Sequence, residues 1–165
     1  MSQQQVMAYQ MEPLVESDRR IVRAVARLQY LAWGVLPSEQ SVEQRATRLS
    51  DELAQYAPAS MGVFVASWRM CVTGVGRICR HADVGSQWWL MLLVHPNHRR
   101  RGIATKLFAT CRSHAAEHGA NVIRSEFRAD NVAAVALHER LGFLCDGRLR
   151  CPSDGNETVV FSLAL

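Results

Sequence analysis

The sequence has no long apolar stretch. Its longest uninterrupted run, Trp88–Val94, holds seven residues, against the roughly 18 that a membrane-crossing helix needs. The amino-terminal segment Met1–Gln10 is rich in glutamine and lacks a basic patch leading into an apolar stretch. No secretory signal is read there, and the chain is expected in the cytoplasm with no membrane partner. Lysine is almost missing: Lys106 is the only one, and the formal net charge of +4, from 19 Lys plus Arg against 15 Asp plus Glu, is carried by arginine. A surplus of that size helps attract an anionic ligand but is too small to name nucleic acid as the partner. The cysteines Cys71, Cys79, Cys111, Cys145 and Cys151 are odd in number and form no CxxC. That excludes a zinc ribbon or a thioredoxin-type centre and leaves reduced thiols as the expectation. Repeats, linkers and low-complexity segments are also missing, so a single domain spanning 1–165 is expected.

What is present is an ordinary globular composition, 48% apolar, in a chain long enough to bury about 70% of its unfolded surface. Ser17 is placed to cap a helix with Ile21, Val25, Leu28 and Leu31 on one stripe and Gly34 past its end. Ser41 and Gln44 match a capping box for a second helix, extended by Leu49, Leu53 and Tyr56 and stopped at Pro58. Met61–Ser67 and Met70–Ile78 are short, β-prone and nearly adjacent, which predicts a hairpin. Gln87–Val94, bounded by Pro96, reads as a strand covered on both faces. A helix follows over about Ile103–His118, with Ile103, Leu107, Cys111 and Ala115 on one stripe and Gly119 at its end. Asn121–Phe127 is the next strand. Asn131–Leu141, capped by Asp130 or Asn131 and ended by Gly142, is the next helix, and Phe143–Leu149 and Thr158–Leu163 are the last strands. This order describes a mixed α/β protein around one central sheet.

The chemistry-bearing stretch is Leu92–Leu107. A strand ends at Pro96, Arg99, Arg100 and Arg101 follow, and Gly102 opens a helix. A helix start exposes unpaired N–H groups and about half a positive charge, so it can hold a phosphate. Gly102 and Ala104 lack bulk that would keep phosphate oxygens from the main chain. Neither GxxxxGK[ST] nor GxGxxG is present. On local chemistry alone, a pyrophosphate site of another type and a solvated basic turn are equally open.

Arg99-Arg-Arg-Gly-Ile-Ala104 resembles the R/Q-x-x-G-x-G/A signature of the GNAT superfamily of acyl-CoA-dependent N-acyltransferases, and Val94-His-Pro96 resembles that family's V-x-P strand end. Asn131-Val-Ala-Ala-Val-Ala-Leu-His-Glu-Arg-Leu-Gly-Phe143 is similar to its N-x-x-A-x-x-L-Y-x-x-x-G-F helix. The resemblance implies a mixed α+β, GNAT-like fold: a central, mixed, bent sheet of six to seven strands with helices on both faces. It implies acetyl-CoA as co-substrate, an amine acceptor and no metal. The N–H groups of Arg100, Arg101, Gly102, Ile103 and Ala104, with the charge of Arg99 and the hydroxyl of Thr105, would cradle the pyrophosphate. The pantetheine arm would run along the main chain of Leu92, Leu93 and Val94, where the strand splays from its neighbour. Asn131 would contact the cofactor or cap its helix.

Transfer to an amine needs a base, because a free alkyl amine with a pKa near 10 arrives mostly protonated. Ser125-Glu-Phe-Arg-Ala-Asp-Asn131 resembles the L-E-V-R-x-x-N stretch of the ribosomal-protein-alanine acetyltransferases, which implies Glu126 as that base; a surface ion pair with Arg124 or Arg128 is the alternative. Where the second block usually carries tyrosine this chain has His138, seven residues from Asn131 and so nearly on its stripe. His138 is the candidate acid for the departing thiolate, with water as the other proton source. His114-Ala-Ala-Glu-His118 matches an inverted zinc-peptidase pattern, but it falls in the last turn of a helix already placed, and no metal is expected. His95 and His98 are read as lining the turn, and Trp33, Trp88 and Trp89 as core or as walls of an acceptor pocket. The sum is an N-acetyltransferase acting on a primary amine, of a small molecule or a peptide N-terminus, by direct attack. A non-catalytic acyl-CoA-binding regulatory domain and a basic nucleic-acid-binding domain are the rivals. The acceptor carries no readable motif, and a homodimer through an edge strand stays open.

Overall fold

A computed structural model describes residues 9–14, 18–81, 83, 85–150 and 155–165. In chain order the elements are β1 (Gln10–Pro13), α1 (Arg19–Ala32), α2 (Glu39–Gln55), β2 (Met61–Trp68), β3 (Cys71–Arg80), β4 (Gln87–Val94), α3 (Ile103–Glu117), β5 (Val122–Arg128), α4 (Val132–Arg140), β6 (Leu144–Arg150) and β7 (Glu157–Ala164). The strands form one mixed sheet ordered β1-β2-β3-β4-β5-β7-β6. Among the described residues no helix is long and apolar enough to cross a membrane.

The chain divides into two compact units, Met1–Pro58 with Val63–Gly76 and Leu92–Thr110, and Ala59–Gly62 with Arg77–Met91 and Cys111–Leu165. In the first, α1 buries Val22, Val25, Ala26 and Leu28, and α2 buries Val42, Ala46 and Leu49. Their exposed sides are laced by ion pairs of Arg19 with Glu43, Arg23 with Glu39 and Glu43, and Arg27 with Glu39. β1 pairs antiparallel with β2, from Gln10 opposite Ser67 to Pro13 opposite Phe64. Tyr9, Ala66, Ile103 and Leu107 pack as one cluster with Leu92 and Val94 against it. A Cβ at Gly74 would stand 2.8 Å from Ile103 Cγ2 and 3.2 Å from the carbonyl oxygen of Leu93, so β3 needs glycine there for α3 to lie this close.

In the second unit β4 pairs parallel with β5, but the register covers only Gln87, Trp88 and Trp89, opposite Val122, Ile123 and Arg124. β5 pairs antiparallel with β7 along its whole length, from Val122 opposite Ala164 to Arg128 opposite Thr158. β6 adds outside β7 with a bulge between Cys145 and Gly147, and every residue of this edge strand is exposed. Trp88, Cys111, Ala115, Ile123, Phe143, Val159 and Phe161 are buried here.

Three expectations are corrected. Helix α1 is capped by Asp18, whose Oδ1 accepts from the Ile21 amide at 3.2 Å, while Ser17 lies outside the described residues. Helix α2 starts earlier than the capping-box reading placed it, because the Ser38 hydroxyl accepts from the Ser41 amide at 3.1 Å. β4 is not covered on both faces: Trp88 and Leu90 are buried while the residues between and beyond are half-buried. Strand β1 had no counterpart in the sequence reading. The four described cysteines are free thiols; Cys111 is fully buried and Cys71 and Cys145 are exposed. Cys151 lies outside the described residues.

Candidate functional site

The turn between β4 and α3 is held by main-chain bonds. The His95 amide donates to the Thr73 carbonyl at 2.8 Å, and Pro96–His98 make one tight 3-10 turn in which the His98 amide donates back to His95. Two residues of the following four then take left-handed backbone, Arg100 at φ 61° and Gly102 at φ 77°. Such alternation of backbone hand turns successive N–H groups toward one concavity, an anion-binding arrangement. Nothing stands within 4 Å of where a Cβ on Gly102 would lie. The helix begins at once: Ile103 is buried and the Lys106 amide donates to the Gly102 carbonyl at 3.1 Å. The N–H groups of its first turn have no acceptor inside the helix. Open space over glycine at a helix start, in a basic turn, fits a diphosphate.

Arg99 has a different task from its two neighbours. Its Nε donates to the carbonyl of Val94 and its Nη2 to the carbonyl of Ala32, both at 3.3 Å. The side chain braces the end of β4 against the end of α1 by donating to two main-chain oxygens. Sequence reasoning missed this, as it missed Tyr9, whose hydroxyl lies 3.5 Å from His98 Nδ1 across 89 residues of chain; no local signal marks either contact. His98 also meets Trp68 and His95 edge-on. Burial, then the nearby Arg101 and His95, hold its imidazole below the ordinary value. Trp33, expected as core or as a pocket wall, is 58% exposed at the end of α1, and Leu36 beyond it is 89% exposed.

In the second unit Glu126 lies exposed on β5, opposite Val160 of β7. The alternative reading as an ion pair does not hold. Arg128 turns instead to Asp130, at 2.6 and 3.0 Å, and that bond holds the Asp130 carboxyl below the usual carboxylate range. Among the described residues no side chain pairs with Glu126. Asn131 caps α4, its Oδ1 accepting from the Ala134 amide at 3.2 Å. His138 is 4% exposed. Its Nδ1 lies 2.8 Å from the carbonyl of Ala134 and its Nε2 is buried without a partner. Since a carbonyl only accepts, Nδ1 carries the proton. The ring packs against Phe127, Phe143 and Phe161, at 4.6, 4.9 and 5.8 Å, and burial holds its pKa below the ordinary value, against a smaller opposing effect of the Ala134 bond. His114 and His118 stack on each other, and His114 edges onto Trp88. Among the described residues no three metal-ligating side chains converge.

The chain belongs to the GNAT acetyltransferase family, whose model matches residues 25–143. No curated protein matches the sequence. Solved structures match its fold. An N-acetyltransferase from Staphylococcus aureus superposes with a TM-score of 0.77 at 15% identity, over 95% of this chain and 98% of that one. The structure of yncA from Salmonella typhimurium with its cofactor acetyl-CoA gives 0.75 at 16% identity, over 96% and 94%. A ribosomal-protein-alanine N-acetyltransferase from Brucella melitensis gives 0.72 at 21% identity, over 94% and 99%.

Proposed function

We propose that this protein is an N-acetyltransferase, a single functional domain over 1–165, that moves the acetyl group of acetyl-CoA to a primary amine by direct attack. The observation that carries the reading is the left-handed pair Arg100 and Gly102 opening α3 with clear space over the glycine. When bound, acetyl-CoA supplies the activated thioester. The main chain of Arg100–Ala104 binds its diphosphate, with Thr105 in reach as a hydroxyl donor. The main chain of Leu92–Val94 takes the amides of the pantetheine arm, supported by the register of β4 on β5 ending at Trp89. Glu126, exposed on its strand, takes a proton from the incoming ammonium so that its nitrogen lone pair can attack the thioester carbonyl; the C–N bond forms as the C–S bond breaks, the nitrogen gives up its second proton to water, and the sulfur leaves as thiolate. His138 holds its proton on Nδ1 against Ala134, so we assign it to packing α4 against the strand that carries Glu126, and the thiolate takes its proton from water.

The test is calorimetric titration of CoA and acetyl-CoA, then thiol release with a panel of primary amines. Gly102→Val is expected to abolish the heat, because a β-branched residue at φ 77° is strained by about 1–2 kcal/mol and puts bulk in the cradle. Titration of native protein without heat would overturn the reading.

A further inference from the structure

The second unit carries a groove of about 410 Å³ that neither the cofactor turn nor Glu126 explains. Its lining includes Gln87, Arg124, Asp146, Leu149, Val160 and Ser162. Arg124 is half-buried, its Nε is inaccessible and without a partner, and among the described residues no side chain or carbonyl pairs with its guanidinium. A guanidinium partly withdrawn from water without a counter-charge gives up hydration that a bound anion restores, and its fork fits a carboxylate. The other charges of the groove are committed. Asp146, pushed out of register by the β6 bulge, accepts from the Ser162 hydroxyl at 2.6 Å, and Arg148 lies 3.4 Å from Glu157. With one uncommitted arginine and one aspartate, the groove suits a monoanion better than a phosphate dianion. Arg124 and Glu126 are two apart on β5, hence on the same face of the sheet. Their cross-strand neighbours on β7, Ser162 and Val160, both line the groove.

We infer that this groove binds the carboxylate of the acceptor through Arg124, which makes the substrate an aminocarboxylate, a free amino acid with an aliphatic body lying along Val160 and Leu149. The inference rests on the proposed acetyl transfer with Glu126 as base, and Arg124 is its specificity-determining residue.

The experiment compares aliphatic α-amino acids, their carboxamides and an amine bearing a phosphate as acceptors, by thiol release from acetyl-CoA. It is run on the native protein, on Arg124→Gln and on Leu149→Glu; Leu149 is 60% exposed, so its variant tests the groove even if the arginine variant does not fold. The amino acids are expected to outperform their amides by about 10–100-fold in kcat/KM, the scale of a charged hydrogen-bonded pair. Arg124→Gln should erase that preference by raising KM for the amino acids, and Leu149→Glu should raise KM for amino acids and amides alike, because both carry the aliphatic body that lies along it. Melting shifts caused by the amino acid alone are measured in parallel. Equal use of acid and amide by native protein, or preference for the phosphate, overturns the inference while leaving acetyl transfer standing. A melting shift that Arg124→Gln removes, with no amine turned over, supports the groove and overturns the transfer. Neither shift nor preference overturns the groove.

Discussion

Single side chains divide into those whose role a short motif conveys and those whose role depends on distant partners. Gly102 was legible because a glycine opening an apolar helical stripe leaves a local signature, and its φ is 77°; Glu126 was singled out only through the resemblance of its stretch to a family motif, and its exposed place on β5 leaves its role as base a proposal. Arg99 was legible as a charge in the basic turn and illegible as a brace, because its acceptor on Ala32 is 67 residues away. Trp33 departs from expectation because aromatic character predicts burial only on average. At this scale Glu126→Gln is expected to lower kcat by about 10²–10³-fold at neutral pH with acetyl-CoA affinity kept, checked by steady-state kinetics beside calorimetry. His138 makes a pH prediction. Burial favours its neutral form in the folded state, so the unfolded chain takes up the proton first as pH falls below the ordinary 6.5. Stability is whole above that value and declines beneath it, and His98, shifted the same way, adds to the decline. Melting temperatures followed from about pH 8 to about pH 5 should fall less steeply in His138→Phe than in the native chain. Cys111, its thiol pushed up to about 12 by burial, should resist thiol reagents until the protein unfolds, while exposed Cys71 and Cys145 react at once.

At the level of elements, periodicity carried most of the fold. The stripe Ile103, Leu107, Cys111, Ala115 is buried as its spacing requires, and Asn131 caps α4 as expected. Start points were less secure: Ser41 and Gln44 have the spacing of a capping box, but the cap is Ser38, whose hydroxyl accepts from the Ser41 amide. Strand β1 escaped because four residues ending in proline, Gln10–Pro13, show no alternation; their pairing with β2 makes them a strand. The β2–β3 hairpin holds an unexpected cost. Its two connecting residues, Arg69 and Met70, both lie at positive φ, 48° and 65°, where asparagine and glycine are the favoured pair. Met70 is 92% exposed and packs on nothing that a substitution would lose. Met70→Gly is therefore expected to raise stability by about 1 kcal/mol, read as a higher urea midpoint at constant slope.

For the molecule as a whole, the family model spans residues 25 to 143, and the strand and helix order continues outside it to both ends of the described chain. A ligand that binds only the folded form stabilises it by about 2.7 kcal/mol at a hundredfold excess over Kd. If the cradle reads the diphosphate, CoA and acetyl-CoA should raise the melting temperature equally, and dephosphorylated pantetheine far less. The sole lysine, Lys106, sits exposed in the first turn of α3, so this chain has a single side-chain amine able to react when a thioester acylates protein surfaces without catalysis. A mass increment of one N-linked acetyl on any internal peptide can come from that one nitrogen alone, which makes the protein a self-calibrated counter of spontaneous acylation beside its own turnover.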